Sequence, residues 1–446
     1  MKRLYATLIA LTAVSALSFA LDFGGTLEND SSYSSKKDVG FVQKDTAHLW
    51  FTSELGKAWD FNATVEGTFN SATPLFYGDL EQLSLTGTFQ KVPLGPSVFT
   101  VELGRFFYSE TTQRVFANRM DGFRMDFAYP SFTLQTALGY TGLLNKYYAS
   151  IVMSQMDAVD SNDTTLVFSP PRMIGSVSLT FPELVAQQSL TLTFLAQEDL
   201  RNQVRNNVIA EGTEVYKPSG GGLVDTQYWG LALDGPITRS LYYNGFGYLN
   251  TGRTLTFGDD TQSSTGQSYQ YQNILAFMAG LSLRYYIPQF YQALASATVL
   301  YASGDGDTTT YVEGNGSGNL TQFVPISGNT LGTAFSPSSS NVLATELAFS
   351  LKPLGRRGGP IFQTLQTALA ITPFFKPSAG AFSDGTVDTA ATGYLGTDVA
   401  LKTNLRPFSD LGAGLTLGYF IPNSSAFVPG NGDGILYGQL FFSVSF

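Results

Sequence analysis

From Trp59 to Asn70 the chain alternates between two kinds of side chain. Trp59, Phe61, Ala63, Val65, Gly67 and Phe69 hold the odd positions; Asp60, Asn62, Thr64, Glu66, Thr68 and Asn70 hold the even ones. A period of two makes a strand with one apolar face and one polar face. The same dyad runs from Gln82 to Gln90, where Leu83, Leu85, Gly87 and Phe89 oppose Gln82, Ser84, Thr86, Thr88 and Gln90. It recurs near 21–30, 45–55, 97–108, 120–129, 131–140, 172–181, 188–198, 224–234 and 238–250. Further dyads lie near 270–286, 291–303, 341–352, 362–374, 393–405, 409–421 and 433–446. The fold class is all-β. Alternation alone does not say whether the apolar face is a core or a lipid-facing wall.

Connector lengths separate the two. Short joins fall at Gly56-Lys57, 91–96, Pro130, 183–187, 235–237, Pro288-Gln289, 354–360 and 406–408. Long segments rich in Gly, Ser, Asn and Asp alternate with them near 31–44, 71–78, 109–119, 141–170, 199–223, 251–269, 304–340, 375–392 and 422–432. Strict alternation of short periplasmic turns with long extracellular loops is the topology of a transmembrane up-and-down β-barrel. The count is about eighteen strands, with sixteen as the alternative. Each strand must pair on both sides, so residues 21–446 form one domain with no linker.

Both chain ends agree. Met1-Lys2-Arg3 precedes an apolar run from Leu4 to Leu17, and Ser18-Phe19-Ala20 offers small residues at a cleavage site, so 1–20 is read as a secretory signal peptide. At the other end Leu436, Gly438, Leu440, Phe442, Val444 and Phe446 form one row, closing on an aromatic residue. Such a terminal strand resembles the closing strand of outer-membrane barrels, read by the barrel-assembly machinery. Charged residues make up only 13% of the chain while aromatics reach 14%, the balance of an apolar outer band around a polar lumen. The net charge of −10, or −12 once Lys2 and Arg3 leave with the leader, argues against nucleic acid as a partner. Expected partners are outer-membrane lipids and lipopolysaccharide or its equivalent, the assembly machinery and small hydrophilic solutes.

A barrel of this size leaves a lumen that wall side chains do not fill. Strand phase assigns to it His48, Trp50, Thr52 and Glu54, then Asp60, Glu66, Glu102, Arg124 and Asp126. Later strands add Arg284 with Tyr286, Glu346 with Lys352, and Asp398 with Lys402. Charges on the lipid face would cost about 2–4 kcal/mol for Arg or Lys at the midplane. Acidic groups outnumber basic ones on this face, which favours cations or neutral solutes. Tyr228, Tyr242, Tyr248, Tyr437 and Phe441 share the inward phase and would offer rings to sugars. Segments 141–170 and 304–340 are the candidates for a constriction. Arg105 shares its phase with Val101 and Leu103, and only a bulge would turn it from lipid.

The run VELGRFFYSE from Val101 to Glu110, followed after a loop by MDGFRMDFAY from Met120 to Tyr129, resembles the paired strands of alginate-export-type porins over about thirty residues. That resemblance implies an eighteen-strand single barrel, transport of a polysaccharide, and Arg105, Asp121 and Arg124 as constriction residues.

Enzyme chemistry is not expected. His48 is the only histidine, and it points inward rather than to a lipid-facing Ser/His pair. Ser303-Gly-Asp305-Gly-Asp307 and Gly430-Asn-Gly-Asp433-Gly resemble fragments of calcium loops but lack the later bidentate Glu. Gly220-Gly-Gly222 is followed by no helix and is no phosphate cradle. No metal and no cofactor are expected. The reading is an outer-membrane channel for passive passage of small hydrophilic or saccharide-type solutes; the alternative is an adhesin or receptor whose barrel displays binding loops.

Overall fold

The computed structural model describes residues 21–446 apart from 73, 91, 93–94, 206–207, 218–221, 309–317 and 358. The expected signal peptide, 1–20, lies outside the described residues. The strands of the first half are β1 (Leu21–Ser34), β2 (Gly40–Leu55), β3 (Trp59–Asn70), β4 (Phe76–Gln90), β5 (Val98–Ser109) and β6 (Ala117–Ala128). Next come β7 (Thr133–Tyr140), β8 (Arg172–Val185), β9 (Gln188–Asp199), β10 (Val224–Pro236), β11 (Leu241–Asp259) and β12 (Gln267–Ile287). The last six are β13 (Ala293–Ala302), β14 (Val342–Leu351), β15 (Gln366–Lys376), β16 (Gly393–Phe408), β17 (Leu411–Pro422) and β18 (Ile435–Ser445). Among the described residues three short α-helices sit in connectors: α1 (Gln155–Asn162), α2 (Arg201–Val204) and α3 (Gly359–Phe362).

All eighteen strands belong to one antiparallel sheet in which neighbours in sequence are neighbours in space. β1 pairs with both β2 and β18, so the sheet closes. Phe446 finishes the seam. Its N–H donates to the Gly25 carbonyl and its carbonyl accepts from the Gly25 N–H, both at 3.0 Å. Its ring lies so close over Gly25 that a Cβ there would come within 2.6 Å of it.

The outer wall is apolar and uncovered. Leu27, Leu49, Leu83, Leu103, Val177, Trp229, Leu249, Phe277, Leu347, Leu369, Leu417 and Phe442 all stand exposed on it. Such a continuous girdle belongs in lipid rather than water. At the short-turn end Trp59, Phe89, Phe99 and Phe127 form a row of rings with centroids 5.6, 6.0 and 4.9 Å apart, an interfacial aromatic belt. No described helix is long and apolar enough to cross a membrane, so the strands do the crossing.

Several connectors differ from the sequence expectation. The loops expected at 31–44 and 251–269 are mostly strand: β1 and β2 run on to a join at 35–39, and β11 and β12 to one at 260–266. There the strands rise beyond the apolar band and polar residues enter the outer face, so the dyad that marks them fades. Asn29, for example, donates to Asp45 at 2.6 Å on the continuation of the outer face. The segments at 71–78 and 109–119 shrink to 71–75 and 110–116. Conversely, the tight turn expected at 354–360 spans 352–365 and holds α3.

One hairpin leaves the wall. β5 and β6 pair along their whole length, from Val98↔Ala128 to Ser109↔Ala117. Yet β4 holds β5 only up to Arg105, and β7 holds β6 only from Asp121 downward. The departure follows a row of three glycines in register, Gly104↔Gly122↔Gly139. Gly104 has φ +115°, a region that L side chains rarely occupy. A Cβ at Gly104 would sit 2.1 Å from the Leu83 carbonyl oxygen, and one at Gly122 would sit 2.0 Å from that of Leu138. Gly104→Val should therefore destabilise the barrel by at least about 1–3 kcal/mol. Urea unfolding in lipid vesicles, followed by tryptophan fluorescence, should show a lowered midpoint; an unchanged one would contradict the bend.

Candidate pore constriction

Freed from its neighbours, the upper β5–β6 hairpin crosses the lumen. Phe106, Tyr108, Val115, Phe116 and Met120 are fully buried there, although 109–119 reads as an extracellular loop. The tip is organised by Glu110, which is 1% exposed. Its carboxylate accepts the N–H groups of Thr112, Arg114 and Val115 at 2.5, 2.5 and 2.9 Å. From the far wall, the Tyr248 hydroxyl on β11 donates to the same carboxylate at 2.7 Å. A charged acceptor holding several donors in a dry site makes strong bonds.

The root of the hairpin is held by charge. Arg105 grips Asp121 with Nε and Nη2, both at 2.8 Å, and Asp79 with Nη1 at 2.8 Å. It also donates to the carbonyls of Leu80 and Leu143 at 3.0 Å. Strand phase would have sent Arg105 to lipid; the bend at Gly104 turns it inside, to 7% exposure. Arg119 binds Glu66, and Glu81 at 3.2 Å, while His48 Nδ1 lies 2.8 Å from Glu81 and 3.9 Å from Glu66. Glu28 completes the group, 3.9 Å from His48 Nε2. Glu81 turns inward because β4 carries a bulge: Thr64 pairs with Gln82 but Val65 with Leu80. His48, Glu66 and Glu81 have ligand atoms within 4.8 Å of one another, a spacing that a metal would accept. The Arg119 guanidinium already sits on both carboxylates, so the arrangement acts as an ion network tying the hairpin to β2, β3 and β4. Below it, Arg124 lies 3.2 Å from both Glu102 and Asp126.

Two long connectors pack beside the hairpin, within 141–170 and within the described part of 304–340. In the first, Ser154 and Asp157 form a capping box at the start of α1. Asp157 and Asp160 then bind Arg172, Arg201 and Arg205, and Asp199 lies 3.3 Å from Arg172. Three acids and three arginines thus lock 141–171 to 200–205. Burial would raise the Asp157 carboxyl, but Arg172 and Arg201 outweigh it and hold the group below its ordinary range. In the second connector, Asp398 on β16 accepts the N–H groups of Ala334 and Phe335 at 2.7 and 2.8 Å. Phe335 stacks on Phe420 with centroids 4.3 Å apart. The two connectors meet where the Gly328 N–H donates to the Ser150 carbonyl at 2.6 Å, and Ile326 donates to Val115 of the hairpin at 2.9 Å. Between them lies a cavity of about 400 Å³ lined by Lys36, Lys146, Asp384 and several serines.

The remaining sequence candidates divide. Glu54, Asp60, Arg284, Tyr286, Glu346 and Lys402 are exposed on inward-phase positions, and Trp50 is half-buried beside Gly24. Asp398 is a loop anchor with 1% exposure rather than an open lumen group. Lys352 lies past the end of β14, its N–H bonded to the Tyr291 carbonyl in the short-turn region, so it is not the partner of Glu346. The ring reading also changes. Tyr228 and Tyr248 are buried under the inserted connectors. Tyr228 donates to the Val324 carbonyl at 2.6 Å, so neither ring offers a face to a solute. Tyr242 and Tyr286 stand edge to face, 5.7 Å apart, toward the short-turn end. The candidate calcium loop at 303–307 is a turn held by Asp305 accepting the Thr321 N–H at 2.8 Å.

No protein-family model matches the chain, and no curated protein matches it. Solved structures do. Pseudomonas aeruginosa OccK5 (OpdH) superposes with a TM-score of 0.53 at 11% identity, covering 95% of this chain and 97% of that one. P. aeruginosa OpdK, solved with vanillate, gives 0.54 at 9% identity over 96% and 98%. P. aeruginosa OprD gives 0.51 at 9% identity over 96% and 95%. The shared fold is the closed eighteen-strand barrel of outer-membrane porins.

Removing one member of a buried ion network leaves its partners unpaired, at a cost of about 3–5 kcal/mol. Asp157→Asn should therefore loosen 141–171 and open it to protease at neutral pH. The depressed Asp157 carboxyl contributes stability above its ordinary value of 3.8, and that contribution is lost as pH falls through its folded value. Pepsin should spare 141–171 at pH near 4 and cut it progressively at lower pH; cutting independent of pH would contradict this role.

Proposed function

We propose that the protein is a passive outer-membrane channel for small hydrophilic solutes, exported by its leader and inserted with its short turns in the periplasm. The observation that carries this reading is the direction of the connectors. Three segments fold into the lumen, two of them ion-paired to its wall and the third hydrogen-bonded to Asp398, narrowing a path instead of displaying a surface. An adhesin or receptor barrel would present those loops outward. Exposed Glu54, Asp60, Arg284, Tyr286 and Lys402 then line the wider part below the constriction.

The resemblance to alginate-export-type porins bears on solute class. Arg105 is consumed by Asp79 and Asp121, and Arg124 by Glu102 and Asp126. The wall from β1 to β6 carries Glu28, Glu54, Asp60, Glu66, Glu81, Glu102 and Asp126. A long polyanion such as alginate would be repelled by that wall, whereas saccharide-sized neutral solutes and cations would pass. No step of bond making or breaking is assigned to any group.

Purified protein in a planar bilayer should give stepwise conductance with a reversal potential favouring cations. Arg124→Glu should move that potential further toward cations. Absence of any conductance step would end the channel reading, and an unchanged potential would take Arg124 off the permeation path.

A further inference from the structure

The cavity of about 400 Å³ between the inserted connectors lies at the long-connector end of the barrel. Residues of 141–170, 318–341 and 375–392 line it, and Lys36 reaches it from the join between β1 and β2. Val324 and Pro325 belong to the lining, and the next residue, Ile326, is the one bonded to Val115 of the hairpin. The cavity therefore stands beside the constriction. Its charges are spent on one another. Lys36 pairs with Asp384 at 2.8 Å, and Lys146 donates to the carbonyls of Asp160 and Asp163. Asp157 and Asp160 are held by Arg172, Arg201 and Arg205. What remains is hydroxyl. Ser150, Thr330, Ser336 and Ser338 line the cavity, and their side chains have no partner among the described residues. Thr330 and Ser338 face each other in an antiparallel bridge, and the Ser338 N–H donates to Ser383 Oγ at 3.0 Å, so the hydroxyls sit on a fixed frame. Ser340, buried on the same lining, has a hydroxyl with no partner among the described residues. Phe168 stands exposed at the rim, its backbone bridged to Asn145 and its carbonyl accepting from Arg205 Nη2 at 2.9 Å.

We propose that this cavity is an entry site of the channel and binds a small neutral sugar before it reaches the constriction. This rests on the channel reading and names the solute class admitted. The volume of about 400 Å³ falls within the range of about 300–1,000 Å³ of small-molecule sites. A serine or threonine hydroxyl both donates and accepts, as each sugar hydroxyl does, so the two sets match in either direction. The Phe168 ring offers an apolar surface to the C–H face of a pyranose. A charged solute finds no free counter-charge on the lining, and it would give up water on entering a partly dry space. The acids on the wall below choose among ions; the cavity selects by hydroxyl groups.

The test is saturation-transfer NMR on the folded protein in detergent, titrated with D-glucose, the cation D-glucosamine or the anion D-glucuronate. Saturable transfer to glucose is expected, with weaker binding of both charged analogues. Thr330→Val removes one hydroxyl while keeping its shape, and Phe168→Ala removes the ring. Each should raise the half-saturating glucose concentration roughly fivefold, as the loss of one net hydrogen bond does. Both side chains are exposed, so both variants should keep the heat-modifiable migration of a folded barrel. No saturable transfer to glucose would overturn the proposal. So would an affinity unchanged in both variants, or tighter binding of either charged analogue. Planar-bilayer recording separates this outcome from the channel reading. Conductance steps without glucose binding remove the site alone, whereas binding without steps counts against the channel and leaves the site standing.

Discussion

A chain inside a bilayer finds no water for its backbone, so every N–H and C=O must be matched within the protein. Strands meet that demand only if the sheet has no edge, and here the seam between β1 and β18 removes it. The rest of the molecule depends on that seam. Closure of eighteen strands sets the width of the lumen, and the lipid outside dictates that one face of every strand be apolar. The Phe446 ring over Gly25 places the last residue of the chain on both constraints at once, as a backbone partner and as part of the outer girdle.

A wide lumen creates the opposite problem inside. Polar walls cannot pack on one another across the gap, so the interior is organised by segments brought in from above. Each comes with its own fastening. The β5–β6 hairpin bends at a glycine row and is tied by Arg105 and Arg119; segment 141–171 is tied by the aspartate–arginine network; 318–341 is tied by Asp398. Ion pairs suit this work because an inserted segment has limited apolar area, while a paired charge in a partly dry site has a strict geometric preference. Removing one partner leaves the other uncompensated, so the fastenings are sensitive points.

The wall was legible in the sequence because lipid imposes a period of two on every strand that crosses it. Trp59–Asn70 shows this in full. Above the apolar band the constraint lapses, and with it the signal: the tops of β1, β2, β11 and β12 read as loop because polar residues such as Asn29 and Asp45 enter the outer face. Phase alone assigns His48, Glu66, Glu102 and Arg124 to the inward face, where each joins an ion pair. It misses Glu81 and Asp79, since a bulge shifts the phase at Gln82. Arg105 was placed against lipid for a related reason, because its inward turn depends on the positive φ of Gly104. Arg114 lies in 109–119, which reads as an external loop. Two marks of its real position were present: Gly104 and Gly122 flanking the hairpin, and Val115-Phe116, an apolar pair that an exposed tip would not favour.

The hairpin is the element that narrows the lumen. Replacing residues 109–117 with a two-glycine turn would remove the tip while sparing the wall, whose pairing stops at Arg105 and Asp121. Single-channel conductance of that variant, folded and inserted in a planar bilayer, tests the claim most directly. A rise of several-fold over the native protein is the result predicted. A conductance equal to the native value would mean that the hairpin does not set the passage.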